Sequence, residues 1–381
     1  MESITTNNRT MKILLPLLML AASASAANVR VEAVPEGGVQ PQVAVDAAGT
    51  AHLVYLKGEP KGCDVRYARR AKGARDWSAP ISVNSEAGSA VAMGTIRSAQ
   101  LAPGQGGTLH VVWNGAMRPG GGHVAPLYYT RLEPGQGTFA PQRNLLGDTG
   151  ALDGGASVAA NVQGGVFVFW HGKRHGDGGD ETARVVFALK SADNGATFGS
   201  PTVANAASPG VCACCSLKAI AAPDGGLFTL YRAARTTAQR DMTLLASTDG
   251  GATFRHETLH PWSTAACPMS SAALLASPQG VRAAWETDGK IFSALLTATP
   301  APLEISAVKA KHPAMASNAR GETLIAWVTG SGWNRGGELA WTILDPAGKP
   351  TAQRGAAGVV VPVWSHAAAY AEPGGDFVIL R

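Results

Sequence analysis

The stretch VCACCSLKAIAAPDGGLFTLYRAARTTAQRDMTLLASTDGGATF, residues Val211 to Phe254, carries the pattern that decides the fold. It ends in the octapeptide Ser247-Thr-Asp-Gly-Gly-Ala-Thr-Phe254. A near copy of that octapeptide, Ser191-Ala-Asp-Asn-Gly-Ala-Thr-Phe198, begins 56 residues upstream. Two copies at this distance indicate that a whole structural unit is repeated along the chain.

Both octapeptides have the composition of tight turns. Their Ser and Asp side chains can accept hydrogen bonds from turn amides, and Gly195 and Gly251 supply positive φ angles. The last residues, Phe198 and Phe254, are then expected to pack beneath the turn, between neighbouring sheets. These segments therefore predict hairpin turns that fix the outer part of each unit.

Pairs of apolar, strand-like runs joined by glycine turns recur along the rest of the chain. Another hairpin follows most pairs, such as Val185–Lys190 or Met242–Ala246. Four strands per unit, with units roughly 42 to 60 residues apart, are typical of the blades of a β-propeller. The seven pairs are Pro41–Tyr55, Arg97–Trp113, Ala156–Trp170, Leu217–Tyr231, Ala272–Trp285, Pro313–Trp327 and His366–Leu380.

We therefore predict an all-β protein, a β-propeller of four-stranded blades, with seven blades favoured and six as the alternative. The seventh pair, His366–Leu380, runs into the chain end without an outer hairpin. The early strand Val29–Val34 lacks a neighbour of its own and can supply an outer strand there, which would close the ring. A β-solenoid is the competing interpretation, because it also repeats short strands.

The composition agrees with an all-β chain. Of 381 residues, 46 are glycine and only 15% are charged, and long helical patterns are absent. The formal net charge is +5; without residues 1–26, which hold two basic residues and one acidic residue, it is +4. Because this surplus is small and no basic run stands out, nucleic acid is not an expected partner.

Residues 1–26 have the pattern of a cleavable signal peptide. Lys12 precedes the apolar run Ile13–Ala22, and Ala24-Ser25-Ala26 fits the small-x-small cleavage rule. The run is too short to span a bilayer, so we expect no transmembrane anchor. We expect residues 27–381 to form a single propeller domain, a monomer that is periplasmic or secreted.

Four of the five cysteines occupy equivalent places on neighbouring units. Cys212-Ala-Cys214-Cys215 directly precedes the fourth strand pair, and Cys267 precedes the fifth. Repeat geometry therefore places their sulfurs on the same side of the ring. In an exported protein the first expectation is disulfide bonding, for instance between one of the three and Cys267.

A soft-metal site is the alternative for the same four cysteines. Three or four thiolates, with Met269 and either His171 or His175, would suit Cu(I) or Zn(II). No cofactor is required otherwise. Cys63 stands alone in the first unit, and we expect it to be a buried or unpaired thiol.

Ligand sites of such rings lie at the mouth, where inner strands begin and second strands end. A rim of arginine, histidine, carboxylate and tryptophan suits a glycan or a small anionic ligand, because Arg pairs with carboxylates and aromatic faces stack on sugars. The ligand-binding candidates are Arg97, His171, Arg232, Glu286 and His312, with Asn114 and His366 at similar places. Close to them in sequence are Trp113, Trp170, Tyr231, Trp285, Trp327 and Trp364, for which a core position between blades is the alternative.

The octapeptides match the Asp-box, or BNR repeat, Ser-x-Asp-x-Gly-x-Thr-Phe. With its repeated strand pairs, the chain resembles the sialidase superfamily, and more closely the bacterial exported sialidase-like Asp-box proteins. The closer resemblance rests on the cysteine motif before Leu217, on Arg240-Asp241-Met242 and on Cys267-Pro-Met269. It implies a propeller that binds a sialoside-like or other anionic sugar at its mouth, and an exo-glycosidase of the sialidase type as its activity.

The catalytic set implied by the resemblance is an arginine triad, a tyrosine nucleophile paired with a glutamate, and an aspartate acid/base. Arg232, at the end of a strand, matches the second arginine of the family. Asp64 and Glu286 are the candidates for catalytic carboxylates. The chain departs from the family where Val39-Gln-Pro41 stands in place of the first arginine. It departs again where Cys215-Ser216 stands in place of the glutamate.

Two hypotheses follow. In the first, the protein binds glycan at the mouth, or binds and hydrolyses it there. In the second, it is a non-catalytic propeller whose cysteine cluster is structural or binds a soft metal. The missing members of the catalytic set leave the enzymatic part of the first hypothesis open.

Overall fold

The computed structural model describes residues 1–2, 27–117, 125–150, 152–174, 176, 178–297, 299–306, 309–355 and 358–381. Most of the predicted signal peptide, and His175, lie outside the described residues. Within them the strands form seven sheets arranged as the blades of a propeller, which confirms the all-β prediction and seven blades rather than six. No helix in the described part of the chain has the length and apolar character needed to cross a membrane.

Blades one to four consist of antiparallel strands, and in blades one, two and four these follow chain order from the axis outward. Blade one contains β2 (Val39–Val45), β3 (Ala51–Glu59), β4 (Gly62–Arg70) and β5 (Ile81–Ser82). Blade two contains β6 (Gln100–Pro103), β7 (Leu109–Asn114), β8 (Leu127–Leu132) and β9 (Arg143–Asn144). Blade three contains β10 (Thr149–Gly150), β11 (Ser157–Ala160), β12 (Val166–Arg174), β13 (Val185–Ser191) and β14 (Thr202–Val203). Blade four contains β15 (Lys218–Ala221), β16 (Leu227–Arg232), β17 (Met242–Ser247) and β18 (Arg255–His260).

The remaining blades complete the ring, and helical structure in the described residues is limited to short 3₁₀ turns. Blade five contains β19 (Ala272–Ser277), β20 (Gly280–Thr287), β21 (Lys290–Leu295) and β22 (Leu303–Glu304). Blade six contains β23 (Ala310–Ser317), β24 (Thr323–Thr329), β25 (Gly337–Leu344), β26 (Pro350–Gly355) and β27 (Val360–Val361). Blade seven contains β28 (Ala368–Ala371), β29 (Phe377–Leu380) and β1 (Val29–Glu32). The 3₁₀ turns are Pro35–Gly37, Gln105–Gly107 and Glu181–Ala183.

The ring closes through the first strand of the described domain, as the sequence predicted. β1 pairs in parallel with β29, from Val29 opposite Phe377 to Glu32 opposite Leu380. The inner strands contact one another in cyclic order around the axis, with β28 against β2 at the closure. Because β1 and β29 are distant in sequence and share one sheet, their pairing closes the ring.

The core lies between adjacent blades. Trp113, Trp170 and Trp285 are fully buried, and Tyr231 is 1% exposed. Trp170 stacks on Phe187 within blade three. These four aromatic residues therefore take the core positions that were the alternative to a ligand-binding role.

The two octapeptides form hairpin turns at the outer side of blades three and four. In the first, Ser191 Oγ accepts from Gly195 N (2.9 Å) and Asp193 Oδ1 accepts from Thr197 N (2.9 Å). Asp249 and Ser247 make the same contacts in the second turn. Phe198 packs edge-on against Tyr129 of blade two, and Phe254 packs edge-on against Phe169 of blade three. Each turn therefore wedges one blade against the preceding one.

Three buried histidines have pKa values below the usual range. His110 lies between Tyr129 Oη (2.9 Å from Nδ1) and Asn194 Oδ1 (3.2 Å from Nε2), and burial lowers its pKa to about 4. Burial also lowers the pKa of His366 to about 4 and that of His312 well below its usual value. These imidazoles remain neutral in the folded protein at pH values where an unfolded chain would protonate them.

The free energy of unfolding is expected to fall as the pH decreases from about 6.5 toward 4. In this window the unfolded chain binds protons at these sites and the folded chain does not, so acid favours unfolding. Each buried histidine contributes a loss of about 2 kcal/mol between pH 6.5 and 4.5. Urea denaturation at pH 7 and 4.5 measures the effect, and His110→Gln should reduce the difference. Equal stability at both pH values would contradict the prediction.

Candidate functional site

The loops before the inner strands and after the second strands meet at one end of the ring, which we call the mouth. Gln40 donates from Nε2 to the carbonyls of Ala92 (2.7 Å) and Gly94 (3.1 Å). His312 contacts Thr95 Oγ1 through Nε2 at 3.0 Å. Segment 92–96 of blade two is therefore held by blades one and six and covers part of the mouth.

Both residues that hold segment 92–96, Gln40 and His312, lie at irregularities of their strands. Gln40 and His312 have φ angles of 54° and 56°, and the registers of β2 and β23 shift at these positions. Positive φ at a non-glycine residue is strained and persists only where neighbouring contacts fix it. Bulges of this kind re-aim a side chain at the end of a sheet. His312 was predicted to bind ligand. In the structure its side chain holds segment 92–96 at the mouth.

Arg232 and Glu286 are brought together, and they are enclosed. The Arg232 guanidinium lies 3.6 Å from Glu286 Oε2 and donates to the carbonyls of Glu286 and Arg240. It also lies over the ring of Trp262, with Cζ 5.0 Å from the ring centroid. The side chains are 1% and 2% exposed. Their opposite charges therefore offset each other inside the protein, between blades four and five, although Glu286 Oε2 and Arg232 Nε have no hydrogen-bond partner.

Arg97 is the predicted arginine that retains access to solvent. Its guanidinium pairs with Asp153 Oδ1 (2.5 Å) and donates to the carbonyls of Asp153 (3.0 Å) and Met93 (2.9 Å). The side chains of Arg97 and Asp153 are 23% and 42% exposed. This ion pair places a cation and a carboxylate side by side at the rim.

His171 holds the cysteine loop in place. Its Nε2 lies 2.9 Å from the Cys215 carbonyl, and its Nδ1 lies 3.4 Å from the guanidinium of Arg184. The guanidinium can only donate, so the neutral imidazole carries its proton on Nε2 and donates to the carbonyl. Burial and the Arg184 charge lower the pKa of His171 to about 4. Gly154 leaves room for this contact, because a Cβ there would lie 2.2 Å from the Cys215 oxygen.

The four cysteines named from the sequence converge beside His171. Cys214 and Cys267 form a disulfide, which confirms the predicted link between the three-cysteine motif and blade five. Cys212 Sγ lies 3.4 Å from Cys214 Sγ and 3.6 Å from Cys215 Sγ. The three sulfurs of the motif lie within 4.8 Å of one another, close enough to hold one metal ion. We call Cys212, Cys214, Cys215 and Cys267 the sulfur cluster.

Charged side chains surround the sulfur cluster. Glu181 pairs with Arg240 and accepts from the amide of Ala213 (3.1 Å), inside the cysteine loop. Burial raises the pKa of the Cys215 thiol, but a hydrogen bond with Cys212 and the charge of Arg232 outweigh burial and lower it to about 7. The proton of the pair is retained on Cys212, whose pKa is raised by the bond to Cys215 and by burial. The cluster thus combines a thiol of lowered pKa with a second thiol in contact.

Cys63 is separate from this cluster. It is buried and unbonded in blade one, as the sequence predicted, and burial raises its pKa to about 12. Asp64, the neighbouring catalytic candidate, accepts at Oδ1 from Asn84 Nδ2 and Gly88 N, both at 2.8 Å. The structure therefore places Asp64 in blade one as the anchor of a loop, on a different blade from Glu286.

A shallow aromatic pocket lies at the mouth between segment 94–96 and blades five to seven. Its walls include Trp333, Trp364, Lys311, Ser331 and Met269. Trp333 is 44% exposed. The volume of the pocket is ≈ 20 Å³. The indole Nε1 of Trp364 and the hydroxyl of Ser331 are buried without a hydrogen-bond partner. The pocket therefore offers an aromatic face beside polar groups that are not satisfied within the protein.

Trp333 was missed by the sequence analysis, although its position offered a signal. It follows β24, the second strand of blade six, and Arg232 and Glu286 likewise lie at the ends of second strands. Gly94 (φ 82°) leaves space for the indole, because a Cβ there would lie 3.0 Å from the Trp333 ring and 3.5 Å from Arg97 Nη1. Arg97 is therefore next to the exposed indole.

No family model and no curated protein sequence matches this chain. Solved structures do match. A Hadza microbial sialidase aligns with a TM-score of 0.52 and 13% identity, over 76% of this chain and 63% of the sialidase. An α-L-arabinanase of Penicillium chrysogenum, complexed with arabinobiose, aligns with a TM-score of 0.55 and 13% identity, over 84% and 98% of the two chains.

A third match is the fungal lectin of Aleuria aurantia, described as a six-bladed β-propeller with a novel fucose recognition mode. It aligns with a TM-score of 0.51 and 12% identity, over 86% of this chain and 96% of the lectin. At these identities the likeness shows the propeller fold and nothing about chemistry. This chain spans less than two thirds of the length of the sialidase.

Proposed function

We propose that this protein is an exported, sialidase-like Asp-box propeller that binds glycan at the aromatic pocket of its mouth. The observation that carries the proposal is the exposed indole of Trp333 next to Trp364, with Arg97 and Lys311 close by. An aromatic face stacks on a sugar ring, and the arginine and lysine favour an anionic sugar such as a sialoside. The neighbouring folds include proteins named for a sialidase, an arabinanase and a fucose-binding lectin, which supports this class of ligand.

The proposal is for binding, without hydrolysis of the sialidase type. A catalytic acid or base must come within hydrogen-bond reach of the substrate. Glu286 and Arg232 are at most 2% exposed and pair with each other, and Asp64 anchors a loop in blade one. The protein is therefore expected to leave a fluorogenic sialoside intact, and turnover of that substrate would restore the enzymatic hypothesis.

Replacing Trp333 by alanine is expected to weaken glycan binding about 10-fold or more. Stacking a sugar on the indole removes apolar surface from water, and losing that contact costs about 1.5–3 kcal/mol. Binding to immobilised glycans, sialosides included, measures the effect, and Trp333→Phe should retain much of the affinity. Val360→Ala is the matched control, because Val360 is also exposed on blade six but belongs to β27. Equal loss in both variants, or none in Trp333→Ala, would contradict the site.

A soft-metal function is the second candidate, favoured by the geometry of the sulfur cluster. Tetrahedral Zn²⁺ with Zn–S distances of about 2.3 Å separates its sulfurs by about 3.8 Å. The distances of 3.4 and 3.6 Å from Cys212 to its neighbours are close to this value. Thiolates also suit Cu(I). The role of the cluster would then be to bind Cu(I) or Zn²⁺ once Cys214 is reduced.

A further inference from the structure

A second cavity, of ≈ 100 Å³, lies on the axis of the ring. Its walls come from the inner strands β2, β6, β15, β19, β23 and β28 or from residues next to them. Such a volume has room for several water molecules. The cavity is distinct from the aromatic pocket, which lies at the mouth.

Lys218 extends across this cavity. It is the first residue of β15 in blade four, and its ammonium contacts Gln42 Oε1 (3.3 Å) of blade one and Gln100 Oε1 (2.5 Å) of blade two. Blades four and one are not neighbours, so the side chain spans the axis to reach them. The Gln100 amide is itself oriented by Ser98, because Nε2 donates to Ser98 Oγ (2.8 Å).

The charge of Lys218 has only neutral partners in this cavity. Among the described residues that line the cavity there is no aspartate or glutamate. Hydroxyl groups of Ser98, Ser216 and Ser271 line the same walls and can donate hydrogen bonds. Lys218 is half-buried, and an ammonium held away from bulk water without a counter-charge is costly, so natural proteins pair such charges. The cavity therefore presents one cation and several donors to whatever fills it.

We propose that the axial cavity binds a small monovalent anion, a halide or a short carboxylate, held by the Lys218 ammonium and the surrounding hydroxyls. The ion supplies the negative charge that the cavity walls lack. It also fixes Lys218 against the two glutamines, so that the inner strands of blades one, two and four are tied together at the axis. This site is independent of the glycan-binding pocket.

Crystals grown with bromide in place of chloride test the proposal. The expected result is an anomalous difference peak within hydrogen-bond distance of Lys218 Nζ, which Lys218→Met abolishes. Lys349→Met, at an exposed lysine, is the control and should keep the peak. Lys218→Gln serves if the methionine variant does not fold. Soaking with acetate then distinguishes the two anion classes, since displacement of bromide indicates a carboxylate site and retention indicates a halide site.

A pH series adds an independent arm. Burial lowers the pKa of Lys218 to about 8, so the bromide peak should weaken between pH 6.5 and 9.5 as the ammonium loses its proton. His366 is the other titratable group in the described cavity wall; its pKa of about 4 keeps it neutral throughout this range. Absence of bromide from the cavity at pH 6.5, or an equal peak in Lys218→Met, would overturn the proposal.

Discussion

Replacing Arg232 by alanine is expected to lower the free energy of unfolding by about 3–5 kcal/mol, because Glu286 would keep a buried charge without a partner. The two side chains are 1% and 2% exposed, so solvent cannot replace the lost guanidinium. The variant also loses the donors to the carbonyls of Arg240 and Glu286. Chemical denaturation at neutral pH measures the loss.

A double variant, Arg232→Met with Glu286→Leu, separates the broken pair from a general packing defect. Removing both charges leaves no unpaired ion, so the double variant is expected to be more stable than Arg232→Ala. Arg255→Ala is the surface control; Arg255 pairs with Glu257 but is 58% exposed, and its loss should cost less than about 1 kcal/mol. Wild-type stability of Arg232→Ala would show that the pair is open to solvent and would return Arg232 to the ligand-binding candidates.

Reduction of the Cys214–Cys267 disulfide is expected to raise the affinity of the protein for Cd²⁺ or Cu(I) at least about 100-fold. The disulfide occupies the sulfur of Cys214, which lies 3.4 Å from Cys212 Sγ, and two-electron reduction by a dithiol frees two further thiols. Loss of an outer-shell partner alone costs 10–100-fold in metal affinity, so gain of direct thiolate ligands should exceed this. Thiolate absorbance during metal titration, with and without a reductant, measures the change.

Two variants sharpen this experiment. Cys267→Ser leaves Cys214 without its partner and should bind metal without added reductant, provided alkylation confirms three free thiols in the motif. Cys63→Ser is the control, because Cys63 is buried in blade one and is not part of the sulfur cluster. Binding that is the same before and after reduction would make the cluster a structural disulfide with two bystander thiols. Proton release on metal binding, greater at low pH, gives a second readout.

The fold was predictable because its determinants are local or periodic. The octapeptide turns need only local contacts: the side-chain oxygens of Ser191 and Asp193 accept hydrogen bonds from backbone amides four residues further along the chain. The strand pairs recur with regular spacing, and counting them gave seven blades. The orphan strand β1 was assigned to blade seven because that blade lacked outer strands, and β1 pairs with β29.

The candidate site was predictable in part. Equivalent positions on neighbouring units placed Cys214 and Cys267 together, and they are bonded. Position along the repeat put Arg232 and Glu286 among the candidates at the mouth, but their pairing and burial depend on Trp262, Arg240 and the loops above them. Position along a repeat gives the end of the ring at which a residue lies, and it does not give its exposure. Trp333 and Lys218 were missed because their neighbours, Gly94 and Gln42, come from other blades.

The sequence by itself determined the repeated unit, the turn chemistry, the number of blades and the clustering of four cysteines, since each follows from spacing or from short-range hydrogen bonds. Tertiary structure alone decided which cysteine bonds to Cys267, which charged residues are enclosed, and where an indole and a lysine face open space. These outcomes depend on contacts between blades far apart in sequence. Those contacts form only when the ring closes and brings loops of different blades together at the mouth. The local sequence of a loop does not specify which other loops it will meet.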